Sequence, residues 1–241
     1  MIAMETFKVV PSEGAVVSMI YDTYSSGWQL FFGAIAELLE QGKFVVLSNY
    51  NQPLRTLFKL ASAVGIDIEE ELENDNMAII DVFGSKYETY FDIPNVYYLQ
   101  GVVDVDTINP KILFIFERLQ PKFKERGLVR AIYALEGATF MFGEEETLKL
   151  INADLAHKSK YHPDTIFMFL MNSDILSRRF IAWVSGVSDY VIVTKSKLEP
   201  DGIIERLYVV RSPDEGFKPL AFKLHVADEL TKERIKIEKL F

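Results

Sequence analysis

Two hydrophobic periods alternate along most of the chain. Residues 15–21 (AVVSMIY) form a short, nearly unbroken apolar run, which predicts a strand buried on both faces. Trp28, Phe31, Phe32, Ile35, Leu38 and Leu39 then recur at helical spacing, and Gly42 supplies a stop. Residues 43–48 predict a second strand. Pro53 opens a helix with Leu54, Leu57, Phe58, Ala61 and Val64 on one face, and Gly65 closes it. Residues 77–82, 129–135, 165–171 and 190–194 predict further strands. Helices are expected around Ile112, Phe116, Leu119 and Phe123, over 144–157, and around Leu176, Phe180, Trp183 and Val184.

Strands that alternate with helices imply crossover connections and a mainly parallel sheet, so the fold class is α/β. The rhythm changes after residue 194. Residues 203–211 and 219–224 predict strands separated by turn signals at Pro200–Gly202 and Pro213–Gly216, which suggests antiparallel hairpins. Residues 228–241 are charged and fit helix or strand. No proline- or glycine-rich linker interrupts the pattern. One domain over 1–241 is expected, with a parallel core at about 8–195 and a hairpin region at about 196–226.

Two stretches break the pattern. Residues 66–76 (IDIEEELENDN) are mostly acidic and polar and read as a solvated loop or short helix. Residues 83–106 are irregular and carry Tyr87, Tyr90, Phe91, Tyr97 and Tyr98. With Trp28, these rings either pack under a long loop or form a groove that accepts a partner's apolar side chain.

Composition narrows the chemistry. The absence of cysteine excludes disulfides, thiolate zinc sites and a cysteine nucleophile. A formal net charge of −9 argues against nucleic acid as partner. No apolar run is long enough for a membrane span, and the first residues lack a signal-peptide pattern, so a soluble cytoplasmic protein is expected. His157, His162 and His225 lack metal-ligand spacing, so no metal is expected. No histidine is placed to activate Ser25 or Ser26. Glu144, Glu145 and Glu146 suit the first turn of a helix.

The element order, together with GAVVSMIYDTYSSGWQLFFGAIAELLEQGKFVVLS, SAVGIDIEE, MAIID, FGEEETLKLI, ERLYVVRS and KPLAFKL, resembles the RecA/RadA/KaiC-like superfamily over about residues 8–226. More narrowly, the chain resembles a small group of hyperthermophilic archaeal proteins of that superfamily without an intact Walker A phosphate loop. The resemblance implies a RecA-like three-layer sandwich, a mainly parallel sheet with C-terminal antiparallel strands.

It also assigns positions. The phosphate loop GxxxxGK[ST] closes backbone N–H groups around phosphates, its lysine neutralises them, and its hydroxyl holds Mg²⁺. Here Asp22, Thr23, Tyr24, Ser25, Ser26, Gly27, Trp28 and Gln29 stand at that place. Asp22 replaces the first glycine, Trp28 the lysine, and Gln29 the hydroxyl residue. Tyr50 and Asn51 stand near the expected glutamate pair. Ala134 falls at the Mg²⁺-supporting aspartate, with Glu136 as a nearby substitute. Arg211 and Pro213 fall where ring-forming relatives place a lysine and an arginine.

These losses remove much of the electrostatics that phosphoryl transfer needs. The expected function is therefore a non-enzymatic protein- or peptide-binding module without a cofactor. Its partner could be a second copy or a RecA-like relative. Asp22, Ser25, Ser26, Gly27, Trp28 and Gln29 are candidate ligand or peptide contacts, and Glu136 and Arg211 vestigial acidic and basic contacts. Residual nucleotide binding, with a base stacked on Trp28, is one alternative. An unrelated enzyme using Glu136 and Asp22 is another.

Overall fold

The computed structural model describes residues 11–200, 202–226 and 235–239. Its elements run β1 (Val16–Tyr21), α1 (Gly27–Glu40), β2 (Phe44–Asn49), α2 (Leu54–Ser62), α3 (Ile68–Glu73), β3 (Met77–Asp81), α4 (Val82–Tyr87) and β4 (Val96–Tyr97). Then follow α5 (Val105–Phe123), β5 (Leu128–Tyr133), α6 (Leu135–Phe142), α7 (Glu144–Tyr161), β6 (Ile166–Asn172), α8 (Arg178–Gly186), β7 (Tyr190–Glu199), β8 (Gly202–Arg211), β9 (Leu220–Val226) and β10 (Ile235–Lys239). The described strands form a 10-stranded sheet in the order β10-β9-β8-β7-β1-β6-β5-β2-β3-β4. From β4 to β7 all neighbours are parallel; from β7 to β10 they are antiparallel.

Strand alternation creates two cores, one on each face of the sheet. Val17, Met19, Val45 and Leu47 face α1, α2 and α3, where Phe31, Phe32, Ile35, Leu57 and Leu72 are buried. Val16, Ile20, Phe44 and Val46 face the other layer, with Ile112, Phe116, Leu119, Phe180 and Val184 from α5 and α8. This is the expected three-layer sandwich. A buried strand needs apolar residues in both phases, which explains the nearly unbroken apolar runs in β1, β2 and β6.

The acidic stretch, read as a loop or short helix, contains the short helix α3, whose Asp67 side chain accepts the Glu70 N–H as an N-cap. Other local expectations change. The stretch expected to be irregular holds α4 and the two-residue strand β4. The strand expected over 129–135 ends at Tyr133. Ala134 takes a left-handed backbone (φ 58°), and α6 begins directly after it. The antiparallel region begins at β7 itself, which pairs β1 on one side and β8 on the other. In the ambiguous tail, 235–239 is strand, whereas residues 227–234 and 240–241 lie outside the described residues, as do residues 8–10 at the start of the expected core. No helix among the described residues is long and apolar enough to cross a membrane.

Candidate functional site

Parallel strands present their carboxyl ends on one side of a sheet, and a crevice forms where adjacent strands send their helices to opposite faces. Here β1 leads to α1 on one face, while its neighbour β6 leads to α8 on the other. The loops after β1 and β6 therefore frame the candidate site.

The β1–α1 loop is held by its own protein. Asp22 is buried, and its carboxylate accepts the Ser196 N–H at 2.7 Å and the Ser196 hydroxyl at 2.6 Å. The hydroxyls of Ser25 and Thr194 lie 3.0 Å apart. The Ser26 N–H, at the N-terminus of α1, donates to the Glu205 carboxylate at 2.7 Å, and the Ser26 hydroxyl donates to the same group at 2.8 and 2.7 Å. A helix N-terminus carries unpaired N–H groups and partial positive charge, so it attracts an anion. In this chain the anion is internal, and it comes from β8.

The loop also leaves no slack. A Cβ on Gly27 would lie 2.3 Å from Tyr21 Cβ and 2.6 Å from Thr194 Oγ1. On the other side of the crevice, Asp174 accepts the Thr23 N–H at 2.9 Å, and Ser173 N–H donates to the Tyr21 carbonyl at 2.7 Å. The bond from Thr23 holds the Asp174 carboxyl below its ordinary range. Trp28 is half-buried against the α1-side core, and Gln29 is likewise half-buried, with its Oε1 unpaired.

Glu136 lies beside this loop. It is almost fully buried in the first turn of α6, accepts the Tyr21 hydroxyl at 2.9 Å, and accepts the Asn172 N–H at 3.2 Å. Burial pushes its carboxyl above the usual range, and burial next to Glu136 raises the Tyr21 hydroxyl. Tyr133 is pushed up to about 12, first by burial and then by Glu136. The left-handed turn at Ala134 starts α6 at once and brings Glu136 back to the end of β1.

The remaining expected residues lie elsewhere. Tyr50 is buried on the opposite face, in the field of Arg130 and Asp154, and burial raises its hydroxyl. Asn51 is exposed, its N–H 3.3 Å from Asn49 Oδ1. The Tyr50–Asn51 backbone fits against Gly137, where a Cβ would come within 2.7 Å of the Tyr50 carbonyl. Arg211 closes the C-terminal end of α8, donating to the carbonyls of Ser185 (2.6 Å) and Ser188 (3.0 Å). The structure thus joins Asp22, Ser25, Ser26, Gly27 and Glu136 around one loop, and keeps Tyr50 and Arg211 apart from it.

Glu205, Thr194, Ser196 and Asp174 were not anticipated. One local signal existed for Glu205. In β8 the inward phase runs Glu205, Leu207, Val209, which puts a carboxylate where the alternation calls for an apolar residue. Its partner is 179 residues away and leaves no periodic trace.

A second hollow lies at the β4 edge. It is open, about 590 Å³, and lined by Tyr90, Phe91, Asp92, Tyr98, Leu99 and the Gln100–Gly101 turn. The Tyr90 and Tyr98 rings meet edge to face at 5.0 Å, and the Tyr98 hydroxyl accepts the Phe91 N–H at 2.9 Å.

Neither a family model nor any curated protein matches the sequence. Solved structures do match. One is an uncharacterised protein from Pyrococcus horikoshii, PH0321, crystallised in complex with an unknown peptide; it is 23% identical, covers 98% of this chain and 97% of its own, and superposes with a TM-score of 0.81. Another is the KaiC-like protein PH0186 from the hyperthermophilic archaeon Pyrococcus horikoshii OT3, 16% identical over 94% of this chain and 90% of its own, with a TM-score of 0.66. The chain therefore has a KaiC-like fold.

Proposed function

We propose that this KaiC-like fold serves as a non-hydrolysing binding module that recognises a peptide segment of a partner protein. The observation that carries the reading is the Glu205 carboxylate on Ser26 at the N-terminus of α1. In a phosphate-binding relative that position serves the nucleotide. Here a triphosphate meets a filled helix terminus and a second buried carboxylate, Asp22, on the same loop. Trp28 and Gln29 supply neither the cation nor the hydroxyl that phosphoryl transfer uses.

Peptide recognition draws support from fold likeness. PH0321, which shares the fold nearly end to end, was crystallised with a peptide. Loss of catalysis with retention of the scaffold leaves binding as the activity a fold can keep.

Two measurements test the reading. Calorimetric titration with Mg-ATP, at protein concentrations that would reveal millimolar affinity, is expected to give no heat of binding. Saturable binding would overturn the closed-loop account. Selection from an unbiased peptide library is expected to yield sequences that bind saturably, and failure to enrich any would overturn the module reading.

A further inference from the structure

Resting on that reading, we infer that the hollow at the β4 edge is the peptide site and that its occupant is a basic segment, with a lysine or arginine side chain seated between Tyr90 and Asp92.

The placement follows from contacts. Tyr90 is 57% exposed, although its ring is held edge to face by Tyr98. An exposed ring held in position costs little further entropy when a ligand covers it. Asp92, two residues on, is exposed and lines the same hollow. An aromatic face next to a carboxylate suits a cation, which gains both ring-quadrupole attraction and ion pairing. The neighbouring ring already behaves this way: the Arg55 guanidinium sits 5.5 Å from the centre of Phe91.

Charge identifies the occupant. Between Ile66 and Gly101 the sequence holds a single basic residue, Lys86. The acidic helix α3 is tied to the hollow's own segment, because Asn95 donates to the Leu72 carbonyl at 2.7 Å and to Asp75 at 2.6 Å. Asp75 is neutralised by Lys122 at 2.7 Å. By contrast Glu69, Glu70, Glu73, Glu88 and Asp92 are exposed and join no ion pair among the described residues. Asp92 lines the hollow, and the other unpaired carboxylates lie on its own segment or on the helix tied to that segment; like charges so grouped raise the local concentration of a cationic segment and disfavour an acidic one. The backbone also fits: among the described residues β4 is an edge strand that pairs with β3 alone, so an extended segment can lie along its outer side.

The test uses the full chain and two fluorescein-labelled dodecapeptides, read by fluorescence anisotropy. In one, Lys and Arg alternate with Leu and Phe; in the other, Glu replaces every basic residue. The basic peptide is expected to bind saturably, to weaken at least tenfold with Tyr90→Ala and with Asp92→Lys, and to weaken as salt rises; the acidic peptide is expected not to bind. Both positions are exposed, so circular dichroism should show both variants folded. Absence of saturable binding by the basic peptide, or binding untouched by both substitutions, overturns the site. If library-selected peptides bind while Tyr90→Ala and Asp92→Lys leave them unaffected, the module reading stands and this placement falls. If instead the wild-type chain self-associates and Tyr90→Ala abolishes it, the occupant is a second copy, and the assignment to a basic partner segment is overturned.

Discussion

The Glu205 carboxylate and Ser26 are joined twice, through the backbone N–H and through the hydroxyl, across 179 residues of sequence. This pair links the last part of the sheet to the first helix. It lets β8 do for α1 what a capping side chain does locally. Replacing Glu205 with Ala should cost ~1.5–3 kcal/mol, the usual range for a hydrogen bond to a charged group. Glu205→Gln should cost less, since it keeps one acceptor. Urea unfolding measures both, and an unchanged midpoint in Glu205→Ala would show that the carboxylate does not hold the loop.

Gly27 leaves no room for a methyl group, given Tyr21 Cβ at 2.3 Å and Thr194 Oγ1 at 2.6 Å from the position of an added Cβ. The clash involves a strand and a neighbouring strand, neither of which can rotate away. Gly27→Ala should lower stability by ~1–3 kcal/mol, as overpacking does. Gly33→Ala, where nothing lies within 4 Å, serves as the control and should not destabilise. Thermal melts of the two variants separate the cases.

Asp81 supplies a pH dependence with a defined sign. It accepts the Gly84 N–H at 3.0 Å and the Asn49 amide at 2.8 Å, yet burial pushes its carboxyl up to about 6. A carboxyl near 3.9 in the unfolded chain and near 6 in the folded one holds its proton more tightly when folded. Its contribution to stability is therefore full below about pH 4 and is lost as pH rises through 6. Asp81→Asn keeps an acceptor oxygen and cannot ionise. Denaturation from pH 4 to 7 should show a decline in the wild type that flattens in the variant. Parallel curves would refute the assignment.

Arg130 and Asp154 form a buried ion pair at 2.7 Å, and the guanidinium lies 5.0 Å from the centre of the Phe116 ring and 4.9 Å from that of Phe167. Removing one partner strands a charge in the core. Asp154→Leu alone and Arg130→Met alone should each cost ~3–5 kcal/mol, whereas the two changes combined should cost less than either single change. Chemical denaturation of the three variants completes the double-mutant cycle.

Much of the architecture is legible in the sequence. The strands of the parallel core and the faces of α1, α2 and α5 follow from period and phase, because burial selects apolar residues at fixed spacing wherever an element packs. The change to antiparallel pairing after β7 is marked by proline and glycine turns. The short elements α3, α4 and β4 were less legible, since each is too brief for a period to establish itself.

The candidate site divides along a similar line. The unusual residues of the β1–α1 loop are visible in the text itself, as an aspartate, a tryptophan and a glutamine at telling positions. That Asp22 meets Ser196, that Ser26 meets Glu205, and that Glu136 lies against Tyr21 depended on which strands become neighbours. The same is true of the acidic helix beside the β4 hollow. Periodicity records how each segment meets the core, because that requirement acts on every turn or every second residue. A polar pair between distant segments is a single contact set by sheet order, so only the assembled tertiary structure decides it.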